Sequence, residues 1–147
     1  MARMTAGARM TNAPTSTLPG MSIYAVAAGN FKLRELWIYN TAAATACMVA
    51  LQRLTTAGTQ GAAVVEHEYD TDANPVIATV VNSHTVGPTI TAGFLAQATL
   101  GAAAGAATVW SFGDSGIVVP SGTANGLGIT TPTGTGQICD VTWVWDE

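Results

Sequence analysis

Apolar and polar residues alternate along several short segments of the chain, which is the pattern of β-strands with one buried face. The alternation is clearest in Phe31–Tyr39 and in Gln137–Trp145. In the second segment Trp143 and Trp145 lie two residues apart, so they are expected on the same side of a strand. The first segment predicts one face made of Phe31, Leu33, Trp37 and Tyr39.

The other candidate strands are short, and turn-forming Gly, Pro, Thr and Asn separate them. About eight to ten short strands without an alternating strand–helix unit predict an all-β fold, specifically an antiparallel, jelly-roll-like β-sandwich. Ala42–Leu54 stays open, because its Ala-rich start favours a helix and its neighbours favour a strand. The remaining candidates are Met21–Ala27, Ala62–Glu68, Thr89–Leu100, Thr108–Phe112, Gly116–Val119 and Leu127–Thr130.

The first twenty residues differ from the rest of the chain, since they are small and polar and include two prolines. They carry two arginines and no acid, whereas all nine acidic residues lie further along. This contrast predicts an extended N-terminal arm over residues 1–20 and a β-sandwich domain over residues 21–147. We expect the arm to bind neighbouring subunits through Arg3, Met4, Arg9, Met10 and Leu18, with the methionines and the leucine as apolar anchors.

Charge is scarce in this sequence of 147 residues, with 10% charged and a net charge of −4. Typical globular domains carry about 25% charged residues. The acidic balance argues against binding nucleic acid through a broad basic surface. The uncharged stretch Phe94–Trp110 has too few large apolar residues for a membrane span. So little charge favours a surface that contacts other subunits.

The sequence offers no convincing catalytic or cofactor site, and we expect neither an enzyme nor a cofactor. Ser83 is next to His84, but adjacent residues in a regular strand point to opposite faces. The Gly113–Gly116 segment contains a serine between glycines without a base or acid assigned to it. Cys47 and Cys139 are too few for a zinc site, so buried free thiols are expected, and a disulfide between them stays open.

One acidic cluster and one aromatic pair are candidate interfaces. In a strand Glu66, Glu68 and Asp70 share a face, and Asp72 follows, so a basic arm from another copy could dock there. Calcium binding is the weaker alternative, since the spacing departs from that of a calcium loop. Trp143 and Trp145 suit a sandwich core, a subunit contact or a platform for sugar rings. The candidate interface residues are Glu66, Glu68, Asp70, Asp72, Trp143 and Trp145.

An Ala/Thr/Gly-rich texture with few charges and many short strands runs through Arg34–Thr41, Ala42–Leu51, Arg53–Thr59 and the closing Gly136–Glu147. In this texture the chain resembles the small virion proteins of tailed bacteriophages. The resemblance implies a β-sandwich subunit on a capsid or tail, with extended termini that bind neighbouring subunits.

We therefore expect a capsid decoration or cement subunit that stabilises the assembled shell by binding it. Its partners would be the major capsid protein or other virion proteins, and it would form a symmetric homo-oligomer, taken as a trimer. It would be located in the virion, after assembly in the host cytoplasm. The alternatives are a neck, tail or fibre component, or a carbohydrate-binding module using Trp143, Trp145 or Trp110 with the Glu66–Asp72 acids.

Overall fold

The computed structural model describes residues 2–69 and 77–147, and the described residues form strands and loops without a helix. The predicted all-β class is therefore confirmed. Cys47 begins a strand, which decides the open question at this part of the chain. The strands are β1 Arg3–Arg9, β2 Met21–Ala25, β3 Phe31–Asn40, β4 Cys47–Leu54, β5 Thr59–Ala63, β6 His67–Glu68, β7 Ala78–Val86, β8 Ala96–Leu100, β9 Ala107–Ser111, β10 Ile117–Val119, β11 Gly126–Thr130 and β12 Cys139–Asp146.

The strands form two antiparallel sheets. Sheet I has the order β10-β3-β12-β1-β6, and β9 pairs with β3 on the same edge as β10. Sheet II has the order β5-β7-β2-β11-β4-β8. The β9–β10 edge is interrupted by residues 112–116, where Gly113 and Gly116 adopt φ of +60° and +58°. Such values favour glycine because it has no Cβ to clash.

One hydrophobic cluster contains side chains from both sheets. Sheet I contributes Leu33 and Trp143, and sheet II contributes Ile23, Leu51 and Leu127, all of them fully buried. Alternation along each strand brings these side chains to one face, so burying that face removes large apolar surfaces from water. The interior between the sheets is filled by side chains.

The single face predicted for β3 is wrong, because its first residues and its later residues lie on opposite faces. Phe31 and Leu33 are buried, but further along Leu36 and Ile38 are buried while Trp37 is only half-buried. The register of β3 against β12 shifts at Arg34, because Leu33 pairs with Trp145 and Glu35 pairs with Val144. This extra residue is a β-bulge, and one added residue reverses the face on which every later side chain lies.

The predicted extended N-terminal arm is wrong for the segment Arg3–Arg9, which forms β1 inside sheet I. It lies between β12 and β6 and pairs with β12 over its whole length. Met4 and Met10 are 2% exposed and belong to the shared core, while Leu18 is half-buried. Sequence analysis misses this strand because the side chains at its inward positions are mostly small. Its partner strand also lies more than a hundred residues away along the chain.

We expect Met4→Ala to lower the free energy of unfolding by about 2–5 kcal/mol, because it leaves a cavity in the core. Met48→Ala is the matched control, since Met48 is 42% exposed. It should change stability by less than about 0.5 kcal/mol. Urea unfolding followed by tryptophan fluorescence measures both. Equal, small effects would show that β1 is not part of the folded core.

Candidate functional site

The arginines predicted to bind a neighbouring subunit form ion pairs with the chain's own last strand. The Arg3 Nε donates to Asp146 Oδ1 at 2.9 Å, and Arg34 Nε lies 2.6 Å from the other carboxylate oxygen. The Arg9 Nε and Nη2 donate to the two oxygens of Asp140 at 2.7 and 2.9 Å. The hydrogen bonds from Arg9 lower the pKa of Asp140 below its ordinary value. These pairs line the outer face of sheet I and help to fix the register of β1.

The predicted acidic cluster is only partly described. Glu66 accepts a hydrogen bond from the Val80 amide at 3.2 Å through its Oε1, so it supports β7. Glu68 is exposed in β6 at the edge of sheet I. Asp70 and Asp72 lie outside the described residues. The described part of this cluster thus includes one acid with a structural role and one on the surface.

Trp143 and Trp145 share one face, as predicted, but that face is the core. Both are fully buried, so neither indole is available as a surface platform. The Trp145 Nε1 donates to Glu147 Oε2 at 3.0 Å, and the same oxygen accepts from the amides of Ile77 and Ala78 at 2.8 and 3.1 Å. Trp145 and Glu147 therefore connect the end of β12 to the start of β7.

A buried serine–histidine pair, Ser22 and His84, was missed by sequence analysis. The Ser22 Oγ lies 3.0 Å from His84 Nε2, and both residues are almost inaccessible. Ser83 has a φ of +65°, so the strand is irregular there and the alternation rule fails. Burial lowers the pKa of His84 below 6.5. The pair therefore links the side chains of the neighbouring strands β2 and β7 inside the fold.

The two thiols meet across the core from different sheets. Cys47 lies in β4 and Cys139 in β12, and both are buried and free. Their sulfur atoms are 3.6 Å apart, within reach of an S–H···S hydrogen bond. That bond lowers the pKa of Cys47 to about 7, and the same bond with burial raises the pKa of Cys139. The expected buried thiols are confirmed, and their separation is short enough for oxidation to join them.

The segment between β7 and β8 carries two exposed apolar side chains on a fixed bulge. It continues along β4 on the side that β8 occupies, where the Thr91 amide donates to Arg53 O at 2.9 Å and the Leu95 amide donates to Leu51 O at 2.8 Å. Residues 92–94 project between these two anchors. Phe94 is 46% exposed and Leu95 is 41% exposed. We call residues 91–95 the Phe94 bulge.

A buried glutamine supports the Phe94 bulge from below. The Gln52 Nε2 donates to Gly93 O at 3.1 Å and to Thr91 O at 3.4 Å. Its Oε1 accepts from Thr130 Oγ1 at 2.5 Å, which fixes the orientation of the amide. Gly93 has a φ of +88°, a conformation that suits glycine. Hydrogen bonds from the Gln52 side chain therefore hold the backbone of the Phe94 bulge.

Within residues 2–69 and 77–147 no group of His, Cys, Asp and Glu side chains has the arrangement of a metal site. The same residues contain no helix that is long and apolar enough to cross a membrane. No protein-family model matches the chain, and comparison with curated proteins and with solved structures finds no match.

We expect stability to fall as the pH is lowered from about 7.5 to about 5.5. The unfolded chain takes up a proton on His84 near its ordinary pKa, while the folded state holds the neutral ring. Its contribution to stability is thus present above that pKa and is lost below it, by at most about 1.4 kcal/mol per pH unit. His84→Gln should flatten the profile relative to that of the unchanged chain. Equally steep profiles for the unchanged chain and for His84→Gln would show that His84 does not cause the pH dependence.

Oxidised glutathione should convert Cys47 and Cys139 into a disulfide, releasing two molecules of reduced glutathione and lowering the protein mass by about 2 Da. The sulfur atoms need to approach to about 2.05 Å, a small movement of two side chains. We expect the oxidised protein to gain about 2–4 kcal/mol of stability. Cys139→Ser should gain nothing. An unchanged mass, or a mixed disulfide with glutathione alone, would show that the two sheets do not allow the bond.

Proposed function

We propose that the chain is a structural subunit of a tailed-bacteriophage virion, built as a jelly-roll β-sandwich. The strand order supports this topology if β9 and β10 count as one interrupted strand and β5–β7 as an insertion. Along the chain the remaining strands then change sheet at every step except from β4 to β8, as in a jelly roll, with β1 beside β12 and β2 beside β11. Jelly rolls are the fold of many viral capsid and lectin domains. Fold alone does not give function, so the surface has to carry the proposal.

The observation that carries the proposal is the Phe94 bulge. Exposed aromatic and aliphatic side chains on a preorganised segment are typical of the centre of a protein interface. Gln52 already fixes the backbone of the bulge, so binding would cost little further conformational freedom. A depression of about 150 Å³ beside Phe94, lined also by Arg53 and Ala92, would accept a side chain of the partner.

The partner that we propose is the major capsid protein or another virion protein, with the chain acting as a decoration or cement subunit. A subunit that binds only the assembled shell stabilises it by mass action. The scarcity of charge on the chain agrees with a surface that is largely covered after assembly. The proposed homo-oligomer is a symmetric trimer, and its mass in solution tests that part separately.

The test uses particles purified on a density gradient from the culture that produces the chain. We expect the chain to co-purify with the particles, and added labelled protein to co-sediment with them. Phe94→Asp should weaken co-sedimentation by at least about tenfold, because it places a charge in an apolar contact. Val65→Asp is the matched control, since Val65 is 70% exposed and follows β5 at the opposite edge of sheet II.

Two results would contradict the proposal. One is the absence of the chain from purified particles. The other is an equal effect of Phe94→Asp and Val65→Asp, which would mean that the bulge has no special part in binding.

A further inference from the structure

Two aromatic side chains lie on the outer face of sheet I because of the β-bulge at Arg34. Trp37 and Tyr39 are two residues apart on β3, and each is half-buried. In register with Trp37 lie Thr142 on β12 and Val109 on β9, and Gly7 on β1 follows Thr142. Small residues therefore lie beside the indole on the β12 side. We call this surface, from Gly7 to Val109, the Trp37 face.

The indole of Trp37 is held in place by a hydrogen bond. Its Nε1 donates to Glu35 Oε2 at 2.8 Å, and Glu35 is the previous residue on the same side of β3. This bond directs the edge of the ring along the strand rather than away from the sheet. A ring that is already fixed loses little freedom when a ligand stacks on it.

Polar groups and a depression continue the Trp37 face at one end. The next row across sheet I contains Arg9, Asp140 and Tyr39, in register on β1, β12 and β3. These three residues line a depression of about 330 Å³ together with Thr41 and Gly105. That volume lies within the range of about 300–1,000 Å³ that is usual for small-molecule sites.

The charges near the Trp37 face are largely paired with one another. Arg9 forms two hydrogen bonds with Asp140, and Asp146 lies between Arg3 and Arg34. Fixed ion pairs still offer N–H donors and carboxylate acceptors, but they produce little net field. Charge complementarity thus favours a neutral ligand with many hydroxyl groups over an anion or a cation.

We propose that the Trp37 face binds a neutral saccharide. A pyranose ring has one apolar surface of C–H groups, which would stack on the electron-rich face of the indole. Its hydroxyl groups would bond to Asp140 and Arg9, and the adjoining sugar would enter the depression beside Tyr39. This site differs from the buried Trp143 and Trp145, and it does not depend on the proposed place in a virion.

The test is a titration of the ¹⁵N-labelled full chain with cellohexaose, maltohexaose, mannohexaose and chitotetraose, followed by amide chemical shifts. We expect at least one of these to bind with a Kd of about 1 mM or below. The shifts should centre on Arg9, Trp37, Tyr39 and Thr142. Trp37→Ala should weaken binding by at least about tenfold, in line with the loss of a stacking ring.

The larger side chain of Thr142→Gln occupies the space beside the indole while Trp37 stays in place. This variant should weaken binding by a similar factor. It decides the question if Trp37→Ala fails to fold. Tyr69→Ala is the matched control, because it removes an exposed aromatic ring that belongs to neither proposed surface, and its affinity should equal that of the unchanged chain.

Three outcomes would overturn the proposal. The first is that none of the four oligosaccharides binds at about 10 mM. The second is that the shifts lie away from the Trp37 face. The third is that the Thr142→Gln variant binds as well as the unchanged chain. If Trp37→Ala instead abolishes binding to particles and no sugar binds, the face is a protein contact. Loss of particle binding in Phe94→Asp alone, with sugar binding intact, would support both proposals independently.

Discussion

The pairing of β1 with β12 is the constraint on which the rest of the structure depends. Seven residue pairs join the two strands, and Arg3 and Arg9 each bond to an acid on β12. The exposed Arg9–Asp140 pair contributes little to stability by itself, and the carboxylate of the Arg3–Asp146 pair is largely buried, but both pairs specify register. A shift by one residue would move Met4 from the core to the solvent and expose polar positions to the core. The two ion pairs thus fix a register on which a much larger hydrophobic contribution to stability depends.

Once β12 is fixed, it positions both the core and the outer surface of sheet I. Its inward residues include Trp143 and Trp145, and its neighbour Glu147 holds the start of β7 through backbone amides. On its other side, the bulge against β3 turns Trp37 outward. A single extra residue therefore leaves Phe31 in the core and turns Trp37 and Tyr39 to the outer face of sheet I.

The sequence was sufficient for the features that depend on local pattern. The all-β class, the strand at Phe31–Tyr39 and the shared face of Trp143 and Trp145 follow from alternation, and the buried thiols follow from their positions in strands. The features that failed depend on distant partners. Nothing near Arg3–Arg9 reveals that β12 pairs with it, and the bulge at Arg34 exists only against β12. The Ser22–His84 pair likewise needs the register of β2 on β7.

The two surfaces proposed for binding are physically independent, and this independence follows from the topology. The Phe94 bulge lies beside the Arg53 end of β4 in sheet II and is held by Gln52. The Trp37 face lies on the outside of sheet I, where β12 separates β1 from β3. Since the apolar core lies between the sheets, neither surface shares a side chain with the other. A subunit attached through the edge of sheet II would keep the outer face of sheet I open, so one chain has room for a structural contact and a ligand at the same time.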